Sequence, residues 1–179
     1  MKSNVMTKTV TIFGSANPRH GEEEYETAYK LGTLLGKSGF SVCSGGFQGI
    51  MDAVSKGVTE NGGKAIGVTV DLFSAEPSKY LTKEIKCNTL FSRIEKMIEL
   101  GNAYIILSGG TGTLVEFSIV WEYVNKNLMP SKPIFAHGKM WKPMIETIDK
   151  RMKLENRQTG IVKYLEKIED FEKRLSLIK

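Results

Sequence analysis

Cysteine and histidine are scarce in this sequence, which contains two of each among its 179 residues. Cys43 and Cys87 both lie in short extended segments, and we expect two small buried thiols rather than a disulfide framework. With only His20 and His137 to add, and with no clustered cysteines, the sequence lacks the ligands of a structural zinc site. We therefore expect no bound metal.

Long hydrophobic runs are also missing. No apolar run approaches the roughly 20 residues needed to span a bilayer, and the N-terminal stretch MKSNVMTKTVTIFGS has too short a hydrophobic core for a secretory signal. We therefore expect a cytoplasmic protein with no membrane partner. A chain of 179 residues is expected to form one domain, residues 1–179, which buries roughly 70 % of the surface that the unfolded chain exposes.

No stretch of the sequence is basic on one side only. The net charge is +5, but the basic residues alternate with acids, as in KYLEKIEDFEKRLSLIK, which is typical of a solvated helix face. Nucleic-acid binding usually requires a basic stripe or stacking aromatics, so we expect no nucleic-acid partner. A mild positive excess suits an anionic small molecule equally well.

Short apolar runs rich in β-branched residues recur along the chain and alternate with helical patterns. Runs that are hydrophobic almost throughout are typical of strands buried on both faces. Alternation of strands and helices predicts an α/β fold, in which helices cover both faces of a parallel sheet. The predicted strands are TVTIFGS from Thr9, FSVCS from Phe40, KAIGVTV from Lys64, AYIILS from Ala103 and KPIFAHG from Lys132.

The helical patterns fill the intervals between these strands. One repeats from Tyr25 to Leu35 and is ended by Gly39, the usual glycine beyond a helix C-terminus. A last apolar piece, Ile161 to Leu165, predicts an edge strand before a C-terminal helix, and the irregular region from Phe73 to Thr89 predicts a loop over the carboxyl edge of the sheet. The other predicted helices are Ile50 to Thr59, Leu90 to Leu100, Leu114 to Val124 and the stretch after Trp141.

Three predicted strand-to-helix turns are rich in glycine: GSANP, SGGFQG and SGGTGT. Ligands bind at the carboxyl ends of strands in open parallel sheets, and a helix N-terminus supplies free N–H groups and a positive dipole for a phosphate. Glycines alone can also serve only to make a tight turn. In SGGTGT, however, Thr111 and Thr113 add hydroxyl donors beside three glycines, and this combination favours a phosphate.

The turns do not match the common nucleotide-binding fingerprints. No Gly-Lys-Ser/Thr follows either SGG turn, as a Walker A sequence requires, and no GxGxxG follows the first strand. The sequence therefore favours a nucleoside monophosphate over ATP or NAD.

Glu116 and Arg93 are the charged residues that belong with the SGGTGT turn. Glu116 lies about one turn inside the following helix, where it either favours the helix dipole or contacts ribose and activates a water. Arg93 stands near the start of a helix, which is unfavourable for the dipole, so it is either paired with an anion or an acid or is a plain surface arginine.

These motifs resemble the LONELY GUY (LOG) family of cytokinin-activating phosphoribohydrolases, many of whose members have been labelled lysine decarboxylases. SGGTGTLVE resembles the family signature PGGxGTxxE, and SGGFQGIMDAV resembles GGGxxGLMGAV. TVTIFGSANP is similar to the family's opening strand and Gly-Ser loop, and LFSRIEKM lies where the family has MHxRKxxM. The order and spacing of these motifs match from about Thr9 to Phe135.

The resemblance implies a Rossmann-like, doubly wound sheet that hydrolyses the N-glycosidic bond of a nucleoside 5′-monophosphate, such as AMP or an N6-modified form, and releases ribose 5-phosphate. It implies no cofactor. By position, Arg93 and Glu116 match the catalytic arginine and glutamate of the family. The phosphate loop is matched by Gly109, Gly110, Thr111, Gly112 and Thr113, and the neighbouring ribose or base pocket by Gly14, Ser15, Gly45 and Gly46.

The sequence departs from the family pattern at four positions: Ser108 replaces a proline, Phe91 a histidine, Ile94 a lysine and Asp52 a glycine. Because these positions surround the motifs, the base that is accepted stays open. The alternative function is a non-catalytic carrier of a nucleotide or of the molybdenum cofactor. A pyridoxal-phosphate decarboxylase is disfavoured, since no strand-end lysine stands near the glycine turns.

The resemblance also implies a homodimer, for which the helical stretch EFSIVWEYV offers an interface. Its apolar side chains are numerous enough to serve both the core and a partner subunit. The alternative is that all of them face the sheet. The residues concerned are Phe117, Val120, Trp121 and Val124.

Overall fold

One sheet of seven strands forms the centre of the protein, for which the computed structural model describes residues 7–178. All neighbouring strands are parallel, as the alternation of strands and helices predicts. The strands are β1 (Thr9–Phe13), β2 (Ser41–Ser44), β3 (Ala65–Val70), β4 (Lys83–Cys87), β5 (Ala103–Ile106), β6 (Ile134–Ala136) and β7 (Val162–Tyr164). Across the sheet they follow the order β4-β3-β2-β1-β5-β6-β7.

Helices cover both faces of this sheet, and the sheet separates two hydrophobic cores. On one face, α1 and α2 pack with the C-terminal segment against the strands, and α3, α4 and α5 pack on the other face. No helix within residues 7–178 is long and apolar enough to cross a membrane. The helices are α1 (Glu23–Lys37), α2 (Ile50–Thr59), α3 (Leu90–Leu100), α4 (Thr111–Asn125) and α5 (Trp141–Leu154).

The prediction of a loop from Phe73 to Thr89 is wrong for Lys83–Cys87, which form the edge strand β4. Among the described residues this strand pairs with β3 alone, and its side chains are mostly exposed. Its sequence, KEIKC, is correspondingly polar and carries none of the continuous hydrophobicity of the inner strands. The segment before it, residues 71–82, is irregular as predicted.

The opposite edge of the sheet agrees with the sequence prediction in part. The predicted strand Ile161 to Leu165 is β7, the last strand in the order. The predicted C-terminal helix is a 3₁₀ helix over Ile168–Leu177. Its residue Phe171 is 1 % exposed and meets Phe135 of β6 edge to face, so it closes the core behind the sheet.

The two cysteines differ in burial. Cys43 is fully buried in β2, as predicted, and burial raises the pKa of its thiol to about 12. Cys87 in the edge strand β4 is only half-buried, so the prediction of a buried thiol is wrong there.

The direction of winding reverses at β1, and this reversal positions the candidate site. β1 pairs with β2 on one side and with β5 on the other. The chain leaves β1 for α1 on one face and leaves β5 for α4 on the opposite face, which opens a crevice at the carboxyl ends of the strands. A hydrogen bond of 2.9 Å, donated by the Ser15 amide to the Ser108 carbonyl, joins the two diverging loops.

Candidate active site

A cavity of about 560 Å³ lies in this crevice, a volume within the range of small-molecule sites. Its walls come from the loops after β1, β2 and β3 and from the first turns of α3 and α4. One side is built of backbone and small polar groups, at residues 14–17 and 110–113. The other side is apolar and includes Phe47, Met51, Phe73 and Leu90.

A buried ion pair connects α3 to α4 at this cavity. Arg93 is 5 % exposed and Glu116 is 9 % exposed, and the Arg93 Nη1 atom donates to the Glu116 Oε1 atom at 3.2 Å. The Arg93 Nε atom donates to the carbonyl of Val68 in β3 at 2.8 Å. The prediction that Arg93 has an acid partner is therefore confirmed, and the surface-arginine alternative is wrong.

The start of α3 fixes where Arg93 stands. Thr89 and Ser92 form a capping box, in which each side chain bonds the backbone N–H of the other residue. This arrangement satisfies two donors that a helix N-terminus otherwise leaves free and sets the first residue of the helix. Arg93 directly follows Ser92 in the sequence, and its side chain forms part of the cavity wall.

Burial changes the acidity of Glu116. Removal from water raises the pKa of its carboxyl from 4.5 to about 7, and the neighbouring Arg93 acts in the opposite direction. A carboxyl with a pKa near neutral pH can both hold and release a proton under ordinary conditions. Such a pKa is suited to acid–base chemistry.

The turn SGGTGT leads directly into α4, and its exposed backbone faces open space. Gly110 is the N-cap residue and provides no capping side chain, so the first N–H groups of α4 are available to a ligand. A methyl group placed on Gly110 or Gly112 would meet no atom within 4 Å. Both residues line the cavity, together with Thr111 and the buried Thr113.

The turn SGGFQG is packed much more tightly. A methyl group on Gly45 would lie 1.7 Å from the Arg93 Nη2 atom. Gly46 and Gly49 have positive φ angles of 78° and 68°, where other residues are strained. A methyl group on Gly49 would also lie 2.4 Å from the backbone of Ala16. This turn therefore holds the Arg93 side chain and the loop after β1 in place.

Comparison with known proteins identifies the family of this chain. The family model of the SLOG cluster4 family matches residues 7–160. The chain belongs to the SLOG cluster4 family. This is a LOG-type family, so the resemblance found in the sequence is confirmed.

Curated relatives of this SLOG cluster4 protein include two that are named cytokinin riboside 5′-monophosphate phosphoribohydrolase. The protein from Rhodococcoides fascians is 28 % identical over 148 residues, which cover 79 % of this chain and 74 % of the relative. The protein from Mycobacterium marinum is 34 % identical over 116 residues, which cover 63 % of this chain and 62 % of the relative.

Solved structures with the same fold include carriers of the molybdenum cofactor. The carrier protein from Chlamydomonas reinhardtii superposes with a TM-score of 0.75 at 19 % identity, over 96 % of this chain and 98 % of that one. The molybdenum cofactor binding protein from Rippkaea orientalis gives a TM-score of 0.75 at 20 % identity, over 98 % and 99 %. At these identities the likeness confirms the predicted Rossmann-like fold and nothing further.

Most of the site residues predicted from the sequence come together in the SLOG cluster4 structure. The two that do not line the cavity are Gly46, whose Cα packs against Gly67 of β3, and Gly109, which packs against Thr113. The predicted residues that line the cavity are Gly14, Ser15, Gly45, Arg93, Gly110, Thr111, Gly112, Thr113 and Glu116.

Sequence reasoning missed the aromatic part of the cavity. Phe47 lies inside the motif SGGFQG, and Phe73 lies three residues beyond the end of β3. The signal that identifies Phe73 is its position, because residues just past the carboxyl end of a parallel strand border the ligand crevice. Phe47 likewise lies three residues beyond the end of β2.

Proposed function

We propose that this protein hydrolyses the N-glycosidic bond of a nucleoside 5′-monophosphate and releases the free base and ribose 5-phosphate. The observation that carries the proposal is the buried pair of Arg93 and Glu116 on the same cavity as the open N-terminus of α4. A phosphate held by the first amides of α4 would place the attached ribose about one helical turn away, where Glu116 lies. The curated relatives from two bacteria carry a name of this activity.

The chemistry follows from the position of the carboxylate. When the bond between C1′ and the base nitrogen breaks, positive charge develops on the ribose, and a nearby carboxylate stabilises it. Water then adds to C1′, and Glu116 takes up the proton that this water loses. The departing base is protonated from solvent. Arg93 holds the carboxylate in one orientation, and the grip on the phosphate supplies the alignment that makes the attack effectively intramolecular.

The proposal is tested by incubating the protein with AMP and measuring adenine and ribose 5-phosphate by chromatography. Glu116→Gln is expected to lower the rate of base release by at least about 100-fold, because it removes the charge that stabilises the transition state. Glu122→Gln is the matched control, since Glu122 is exposed on the same helix and its carboxylate bonds Asn125 and Arg157 outside the cavity. Release that persists in Glu116→Gln would contradict the proposal.

A second candidate is a non-catalytic carrier of a phosphorylated ligand. It is favoured by the fold likeness to the molybdenum cofactor carriers and by Ser108, which stands in place of the family proline. The same incubation separates the two functions. Binding of AMP without release of adenine supports the carrier, and release that depends on Glu116 supports the hydrolase.

The protein is also proposed to form a homodimer, but not through the four side chains of α4 predicted from its sequence. Phe117, Val120, Trp121 and Val124 of α4 are each at most 7 % exposed and belong to the core beside the sheet. Exposed apolar side chains are found instead at Leu90 and Val115, which line the cavity, and at Phe91, the neighbour of Leu90.

Phe91, at 76 % exposure, is the most exposed of these three, and exposed apolar surface is typical of protein interfaces. Sedimentation velocity of the purified protein tests the dimer. A monomer at micromolar concentration would contradict it.

A further inference from the structure

Two phenylalanine rings lie against the guanidinium of Arg93 in the cavity. The Arg93 Cζ atom lies 5.8 Å from the ring centre of Phe47 and 5.8 Å from that of Phe73. The two rings meet edge to face at 5.9 Å. All three side chains therefore form one unit, held by cation–π and aromatic contacts.

The two rings differ in exposure. Phe47 is 5 % exposed and belongs to the fixed wall of the cavity, whereas Phe73 is 44 % exposed. A ring that only shielded Arg93 from water would gain by being buried, because exposed aromatic surface forgoes its hydrophobic stabilisation. Phe73 instead keeps part of its surface free while lining the same cavity as Glu116.

The contacts also give the order of groups across the cavity. The open turn at residues 110–113 begins α4, Glu116 follows one turn later, Arg93 bonds Glu116, and the two rings lie on Arg93. A nucleoside monophosphate has the same order of phosphate, ribose and base. With its phosphate on the turn and its ribose at Glu116, the base reaches the rings.

We propose that Phe73, backed by Phe47, is the residue on which the aromatic base of the substrate stacks, and that it selects nucleotides over sugar phosphates without a base. This inference rests on the proposed binding of a nucleoside 5′-monophosphate. Stacking between a base and an aromatic side chain tolerates different bases because each base has a π face. Phe73 therefore selects for the presence of an aromatic ring rather than for its substituents.

The loop that carries Phe73 is fixed at its far end. The Ser78 hydroxyl donates to the Asp52 Oδ1 atom at 2.6 Å, and the Tyr25 hydroxyl donates to the Asp52 Oδ2 atom at 2.7 Å. The Ser78 amide also donates to the carbonyl of Gly46 at 2.8 Å. Phe73 is therefore held between the end of β3 and this anchor, as a residue that positions a ligand must be.

The test is calorimetric binding of two probes to the full-length protein. Formycin 5′-monophosphate carries a purine-like base on a carbon–carbon bond that hydrolysis does not break, and ribose 5-phosphate has no base. Phe73→Ala is expected to weaken the first probe by at least about fivefold, the low end of the loss measured when a stacking side chain is removed. It should leave the affinity for ribose 5-phosphate unchanged.

Two further variants control for indirect effects. Phe73→Trp keeps an aromatic surface and should retain the affinity for formycin 5′-monophosphate. Leu72→Ala removes the neighbouring exposed side chain, which does not line the cavity, and should change neither affinity. Equal loss for both probes in Phe73→Ala, or no loss for either, overturns the stacking role.

The outcomes also separate this inference from the proposed function. If Phe73→Ala weakens only the probe with a base while AMP stays intact with the wild-type protein, the stacking role stands and the hydrolase is wrong. If the wild-type protein hydrolyses AMP but Phe73→Ala affects both probes alike, the hydrolase stands and the stacking role is wrong. If the wild-type protein binds neither probe, the stacking role is wrong, and the release of adenine from AMP decides the hydrolase separately.

Discussion

The two SGG turns of this protein begin alike and use their glycines for opposite purposes. In SGGFQG, a side chain on Gly45 or Gly49 would run into Arg93 or into the backbone of Ala16. In SGGTGT, Gly109 packs against Thr113, but a side chain on Gly110 or Gly112 would meet nothing. The first turn needs glycine because the protein itself fills the space, whereas the second leaves space that the protein does not fill.

The acids that follow the two turns differ in the same way. Asp52 in the first turn of α2 accepts hydrogen bonds from Ser78 and Tyr25, so its carboxylate is used in holding a loop. Glu116 in α4 is bonded to Arg93, lines the cavity, and has its pKa raised by burial. Only the second turn therefore combines open backbone with an acid available to a ligand. The first turn supports the second by holding Arg93.

The strongest test of this difference between the two turns is Gly45→Ala in the first turn. The added methyl group would overlap the Arg93 guanidinium and push it away from Glu116. We expect the rate of adenine release from AMP to fall by at least about 100-fold, since small displacements at an active site have effects of that size. We also expect overpacking to lower the free energy of unfolding by about 1–3 kcal/mol, measured by denaturant titration. Wild-type activity in Gly45→Ala would show that Arg93 does not need its observed position.

Gly112→Ala is the corresponding change in the second turn. It should lower the affinity for a phosphate without lowering the free energy of unfolding. Nothing opposes the methyl group in the protein, and alanine favours a helix over glycine by up to about 1 kcal/mol. We expect the free energy of unfolding to stay the same or to rise. The affinity for ribose 5-phosphate should fall by at least about tenfold, because a methyl group beside the first amides of α4 would keep a phosphate from approaching closely.

The control for Gly112→Ala is Ser118→Ala, on the same helix but outside the cavity. It should leave the binding of ribose 5-phosphate unchanged. If Gly112→Ala binds ribose 5-phosphate as tightly as the wild-type protein, the open space at this turn does not serve a phosphate, and the contrast between the two turns loses its functional meaning.

The sequence could predict the parts of this fold that depend on continuous hydrophobicity or on glycine. The inner strands are buried on both faces, so their sequences contain no charged residue and are easily recognised. The edge strand β4 has a polar sequence, because the sheet buries it on one side only, and its pattern resembles that of a loop. The packing of Phe117 and Trp121 into the core, rather than into an interface, required the position of α5.

The candidate site likewise contains residues that the sequence could predict and residues that it could not. The sequence position of Arg93 indicated an anion or an acid as its partner, since a cation near a helix N-terminus is otherwise unfavourable. Phe73 could not be linked to the site, because it lies in an irregular loop whose course depends on Asp52 and Ser78. Those contacts join parts of the chain 26 residues apart, and no periodicity in the sequence reports them.

The pH dependence of activity should sharpen the contrast between Asp52 and Glu116. We expect its effect to be smaller than those of Gly45→Ala and Gly112→Ala. Stabilisation of a positively charged sugar requires Glu116 as the carboxylate, so kcat/KM for AMP should fall as the pH drops below about 7, by up to about tenfold per pH unit. The second ionisation of a substrate phosphate, near pH 6, contributes to the same limb. A measurement without substrate is therefore needed.

The free energy of unfolding provides that measurement. Burial raises the pKa of Glu116 above the value of 4.5 that applies in the unfolded chain, so the folded protein holds this proton more tightly. The stabilisation is complete below pH 4.5 and is lost as the pH rises through about 7. Relative to Glu116→Gln, the wild-type protein should gain up to about 1.4 kcal/mol per pH unit as the pH falls through this window. A constant difference between the two proteins would mean that Glu116 titrates like an exposed carboxyl and has no special place beside the second turn.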